Sequence, residues 1–234
     1  MGQFIVIIIV IAVVAVGAYF AHLAEKKRRE EMAALAAKLG FRFRAGPDSS
    51  HDEEFSHFEI FRRGHSRVAK NMMSGAVEID GRSYRVDAGD FRYKVTSGSG
   101  KSRSTRTYDF SYIILHLPFD CPDLLIRKEG MFDKIAGAFG FDDIDFESAE
   151  FSKKFHVKSP DKKFAYDVCH PRMMERLLAS FPAILDLERG RLCFADESRR
   201  WEPNVFEQRF DWLEKWFQMW PEHVLVDLDR SRNA

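Results

Sequence analysis

The chain has 234 residues, with 36 Lys and Arg against 36 Asp and Glu, and 22 Phe. A formal net charge of zero gives no whole-molecule steering toward nucleic acid, and the ordinary globular composition excludes a disordered or fibrous chain. Cys121, Cys169 and Cys193 are an odd number with no disulfide-framework spacing, which suits a reducing compartment.

Phe4 to Ala24 carries no charged side chain. A bilayer core of about 30 Å needs about 20 apolar residues at 1.5 Å rise each, so this stretch predicts a single transmembrane helix. Its Ile and Val content counts little against a helix in lipid, where only internal hydrogen bonding satisfies the backbone. A cleaved signal peptide would need positive charge before a shorter apolar core, and Met1-Gly2-Gln3 offers only the α-amino group. Myristoylation at Gly2 fails because Val6 stands where Ser or Thr is required. The nearby basic residues, Lys26, Lys27, Arg28 and Arg29, all follow the apolar run. Basic residues favour the cytoplasmic side, so the N-terminus is expected outside and the bulk of the chain in the cytoplasm.

Past the anchor (residues 1–24), Met32, Leu35, Ala36 and Leu39 recur at helical spacing before Gly40, which predicts a juxtamembrane helical stalk over 25–40. Residues 41–234 read as a soluble α+β domain, with 41–120 and 121–234 as possible subdomains. Asp52 to Phe61 predicts a short helix with Phe55, Phe58 and Phe61 on one face. From about Val68 to Pro118 the period changes to two. Ala76–Ile79 and Ser83–Val86 flank an Asp80-Gly81 hairpin turn, and Phe91–Val95 and Thr107–Leu117 follow as strands of an antiparallel meander. The second half mixes strands and helices. Strands are expected at Leu124–Ile126, Asp143–Glu147, Phe155–Lys158 and Lys163–Val168, and a hairpin at Ile184–Glu188 and Leu192–Ala195. Helices are expected at Met131–Phe139, Ala149–Lys154 and Pro171–Ser180. A long amphipathic helix opens at Pro203 and runs to about Trp220. Its stripe of Phe206, Phe210, Leu213, Phe217 and Trp220 is expected in the core.

Two stretches carry distinctive short motifs. One is Asp90-Phe91-Arg92-Tyr93 with Gly100-Lys101-Ser102 and a strand ending at Leu117-Pro118. The other is Asp143-Ile144-Asp145-Phe146-Glu147 followed by Phe151-Ser152-Lys153-Lys154-Phe155. Together they resemble a family of uncharacterised bacterial membrane-anchored proteins of unknown function, a resemblance that spans roughly Asp90 to Val168. It implies a bacterial membrane home and no activity.

The chemical candidates are few. Gly98-Ser99-Gly100-Lys101-Ser102 lacks the first Gly of a phosphate-binding loop, where Val95 stands, and it joins two strands. Lys101, Arg103 and Arg106 make the same loop basic and suited to anionic lipid, at about 1 kcal/mol per basic residue near the surface. Asp143, Asp145 and Glu147 alternate, so they share one face and are the weak candidates for a divalent metal; Ser148 stands where a calcium loop needs Gly. Adjacent Cys169 and His170 diverge and do not form a nucleophile–base pair. His51 and His57 lack the spacing of paired helix ligands.

No catalytic set and no cofactor motif emerges. The expectation is a membrane-tethered cytoplasmic interaction or regulatory domain without catalysis, its partners the bilayer and another membrane protein or a second copy. The rival expectations are an enzyme of unrecognised type, such as a metal-assisted hydrolase on the acidic strand, and an anionic-lipid surface bound by the basic hairpin. Charge is unevenly spread: Phe61 to Tyr108 holds 11 basic against 4 acidic residues, and Asp109 to Phe151 holds 3 against 10.

Overall fold

The computed structural model describes residues 2–129, 143–181, 184–196 and 199–232. Helix α1 runs unbroken from Gly2 to Lys38. Its first part is long and apolar enough to cross a membrane, and no residue of its most apolar stretch is buried by the rest of the chain. Its second part behaves differently. Met32, Leu35 and Ala36 face the protein and are buried, so the expected stalk is packed into the domain instead of standing clear of it. Gly40, at φ +69°, ends the helix. The Phe41 N–H bonds to the Ala36 carbonyl at 2.8 Å and the Gly40 N–H to Ala37 at 3.2 Å, the paired closure of a glycine C-cap.

Three long strands follow the short β1 (Arg42–Arg44): β2 (His65–Ile79), β3 (Arg82–Ser97) and β4 (Ser104–His116). The β2–β3 turn places both Asp80 and Gly81 at positive φ, as a two-residue hairpin requires. The two strand segments expected at Ser83–Val86 and Phe91–Val95 are one continuous strand, β3. Between β1 and β2 the expected helix divides into a turn of helix, α2 (His51–Glu54), and a 3-10 turn at Glu59–Arg62. Phe55 follows α2, Phe58 precedes the 3-10 turn and Phe61 lies within it, and all three are buried against the sheet.

The second half supplies β5 (Leu124–Lys128), α3 (Ala149–Lys154), β6 (Phe155–Lys158), α4 (Lys162–Val168), α5 (Pro171–Ser180), β7 (Ile184–Glu188), β8 (Arg191–Ala195), α6 (Pro203–Gln218) and α7 (Glu222–Arg232). Two expectations are corrected. Lys163–Val168 is helix, not strand: the Asp161 carboxylate accepts the Phe164 N–H at 3.0 Å and caps it, and Phe164, Ala165 and Val168 turn inward at helical spacing. Asp143–Glu147 alternates in burial as a strand would but lies outside the eight strands. Its Asp143 side chain, described below, occupies the Val157 N–H of β6 that a ladder would use. The helix expected at Met131–Phe139 falls outside the described residues. Helix α7, with Val224 and Leu228 buried, was not anticipated.

All eight strands form one antiparallel sheet in the order β1-β2-β3-β4-β8-β7-β5-β6. One face carries Val86, Ala88, Ile113, Leu115 and Phe194 and packs against the end of α1, against α5 and against α6. The apolar stripe of α6 sits there, with Phe206, Leu213, Trp216 and Phe217 buried. The other face carries Phe91, Phe110, Tyr112 and Ile114 under the Phe55, Phe58 and Phe61 cluster. The architecture is α+β with an apolar N-terminal helix, as the pattern of periods implied.

Candidate functional site at the anchor–sheet junction

Residues of α1 at four-residue spacing share a face, so Arg28 lies on the same side as Met32 and Ala36. Residues of β3 alternate, so Asp90 lies on the same side as Val86 and Ala88. Each apolar face thus carries one charge, and the two meet. Arg28 donates from Nε and Nη2 to the two Asp90 carboxylate oxygens at 3.0 and 2.9 Å, a bidentate pair. Asn71 Nδ2 donates to the same carboxylate at 3.1 Å and Ser111 Oγ at 2.7 Å. The Trp201 N–H donates to Ser111 Oγ at 2.9 Å. Both charges are buried, at 7% and 3% exposure. This node joins α1, β2, β3, β4 and the approach to α6. One turn nearer the apolar stretch, Glu25 accepts from Arg200 at 2.8 Å and from Arg92 at 3.4 Å, and Arg92 is held by Asp109 at 2.7 Å. Hydrogen bonding to Asp109 pushes the Arg92 guanidinium above its ordinary range.

The local backbone prepares the node. Asn71, at φ +50°, sits in a β2 bulge between Lys70 and Met73. The bulge presses on Gly89, where an added Cβ would lie 3.1 Å from the Lys70 carbonyl oxygen. Glycine before Asp90 therefore lets β2 approach closely enough for Asn71 to reach the carboxylate.

Of the juxtamembrane basic residues, Arg28 is the one turned inward. Lys26, Lys27 and Arg29 are exposed, and Lys26 and Lys27 lie 3.9 and 3.6 Å from Glu30 and Glu31. Arg103 and Arg106 are exposed at the β3–β4 hairpin, and the Arg106 guanidinium lies 5.1 Å over the Tyr108 ring. Lys101 belongs to the 3-10 turn Gly100–Ser102 at the tip. Gly98, at φ +78°, opens that turn, and a Cβ there would strike the Ser102 carbonyl oxygen at 2.4 Å.

The acidic segment is tied down by its own motif residues. Asp143 Oδ1 accepts the N–H groups of Ile144 and Val157 at 3.1 and 2.9 Å, while Oδ2 lies 2.9 Å from His156 Nδ1. Ser152 Oγ bonds both the N–H and the carbonyl of Phe146, and Phe146 meets the Phe151 ring edge-on at 5.2 Å. Asp145 and Glu147 point to solvent. Among the described residues, no group of three or more His, Cys, Asp or Glu is placed to hold a metal ion.

A cavity of about 610 Å³ opens between β1, α2 and β3, lined by Arg42, Arg44, Asp48, His51, Arg85 and Asp87 among others. Ser50 and Arg44 hold the Asp48 carboxyl down to about 2. Burial lowers His51 to about 4, against the partial opposition of Asp48 and Asp87, so its imidazole is neutral. Its ring packs tilted or edge-on against Phe55, Phe61 and Tyr112 at 4.7 to 5.0 Å, and Nε2 has no hydrogen-bond partner. Sequence reasoning did not place His51 or the Arg28–Asp90 pair in any site. Burial pushes the Cys169 thiol up to about 12, and His170 bonds the Met219 carbonyl at 2.9 Å.

No family model matches the chain, and no curated protein sequence matches it. Among solved structures, the crystal structure of the mycobacterial trehalose monomycolate transport factor A, TtfA, is similar in fold. Its TM-score is 0.52 at 11% identity, over 82% of this chain and 96% of that one. The likeness covers nearly all of the other chain, so the sheet and its helices are a shared architecture.

Proposed function

We propose that the chain is a membrane-tethered interaction domain without a catalytic site of its own, held on the cytoplasmic face in a fixed attitude to the bilayer. The observation that carries this is the Arg28–Asp90 node. It makes the membrane-length helix and the sheet one body, where a flexible linker would suffice for mere attachment. The uncharged flank before the helix and Lys26, Lys27 and Arg29 after it support the N-out orientation. A bacterial inner membrane is the setting implied by the resemblance of the Asp90–Val168 stretch. The likeness to a protein named as a transport factor supports a specific form of the role, in which the domain assists a membrane transport system.

Co-purification of the intact protein from native membranes tests this, in comparison with a variant carrying a flexible Gly/Ser insertion between Ala24 and Glu25. A membrane protein is expected to co-purify with the intact chain and to be lost with the insertion, which leaves the node whole. Equal recovery would mean that attitude is irrelevant; recovery of no membrane protein by either would remove the tethered-adaptor role.

A further inference from the structure

The register of the junction gives the anchor a direction along the sheet. Beyond the end of α1, the Phe41 ring lies against Gly75, whose β3 partner is Val86. Going back toward the N-terminus of α1, Arg28 meets Asp90 and Glu25 meets Arg92. The contacts advance along β3 as α1 retreats toward its apolar stretch. The far end of β3 therefore points the way the anchor leaves.

Beyond Arg92 the hairpin continues in unbroken register to Ser97 paired with Ser104. Five residues at about 3.3 Å each carry it roughly 17 Å further, before the tip is counted. The apolar stretch of α1 begins at Ala24, the residue before Glu25. A headgroup layer is only about 5 to 7 Å thick on each side of the hydrocarbon. A hairpin of this reach is long enough to meet the headgroups of the leaflet from which α1 would emerge.

Its chemistry fits that layer. Lys94 to Thr107 holds four basic residues, no acidic one, and a series of Ser and Thr. Val95 is 39% exposed, one of the few large apolar side chains outside α1 to be so among the described residues. Tyr93 and Tyr108 stack at 5.1 Å at the hairpin base. The opposite end of the sheet is mixed in charge: Glu78, Asp211 and Glu214 line the surface there and Asp80 sits in the β2–β3 turn, while Arg82 follows that turn and Arg189 and Arg191 lie at the β7–β8 turn. The hairpin end differs in lacking any acidic residue between Lys94 and Thr107.

We propose that the β3–β4 hairpin is a second membrane contact, in which Arg103 and Arg106 bind anionic lipid headgroups and Val95 seats in the interface. It deepens the tethered-domain function and rests on it. The test uses the full chain with Cys121→Ser and Ser99→Cys, labelled at position 99 with an environment-sensitive fluorophore and reconstituted into vesicles. A quencher on the lipid headgroup is expected to quench the tip strongly in vesicles rich in phosphatidylglycerol and weakly in pure phosphatidylcholine. Each basic residue close to an anionic surface is worth roughly fivefold in binding, so Arg103→Gln with Arg106→Gln is expected to lower the ratio of contacting to free hairpins about thirtyfold. A label at Asp80→Cys should stay unquenched. Equal quenching at position 99 in both lipids, or quenching unmoved by the double substitution, overturns the proposal. Resistance of the protein to alkaline extraction reports the anchor separately: a chain that washes off the vesicles refutes the tethered function itself, and one that stays while the tip remains unquenched refutes the hairpin contact alone.

Discussion

Arg28 and Asp90 show what a single buried charge can decide. Taking both out of water costs several kcal/mol per ion, recovered only because every carboxylate position is occupied by a donor. Asp90→Ala leaves Arg28 buried without a partner and is expected to cost about 3–5 kcal/mol, seen as a lowered thermal midpoint in detergent. His51 acts in the opposite sense. Its folded value near 4 lies below the unfolded 6.5, so its contribution is complete above pH 6.5 and is lost as pH falls toward 4. The loss amounts to about 3 kcal/mol at most. His51→Phe is expected to flatten the fall in stability over that window, measured by denaturant unfolding at pH 7 and pH 4.5. Asp186 titrates the other way: buried among Glu188, Glu59 and Asp123, its carboxyl is pushed well up. A raised value means stability present at low pH and lost as pH rises, so Asp186→Asn should stabilise the protein at pH 7 by about 1 kcal/mol and much less near pH 4.

At the scale of elements, periodicity located most of the strands and helices, and the misses have physical causes. In Lys163–Val168, Phe164, Tyr166 and Val168 alternate as in a strand, while Phe164, Ala165 and Val168 fit a helix equally well. The Asp161 cap and the packing of Phe164 on Trp220, rings 5.6 Å apart, select the helix and leave Tyr166 half exposed. The β2 bulge is an element-scale device too. Gly89→Ala would push its Cβ into the bulged backbone and is expected to cost about 1–3 kcal/mol by loosening the Asn71–Asp90 contact, visible as faster amide exchange around the bulge.

At the scale of the molecule, the anchor and the domain are one body with an axis. The proposed N-out orientation predicts that protease added to right-side-out vesicles leaves the domain intact, and that digestion follows only when the vesicles are opened. The juxtamembrane part of α1 is packed on the domain through Met32, Leu35 and Ala36.

The sequence by itself determined the apolar span, the meander, the amphipathic α6 and the basic loop, because each is a local pattern of charge or period. It also held the two charges on otherwise apolar faces, Arg28 and Asp90, but not their pairing. Only the tertiary structure brought them together across 62 residues of chain, because a buried ion pair is defined by partners that no local period specifies. The same step turned a basic loop of unknown bearing into one that points along the anchor, since direction belongs to the docking of α1 on β3 and to no segment alone.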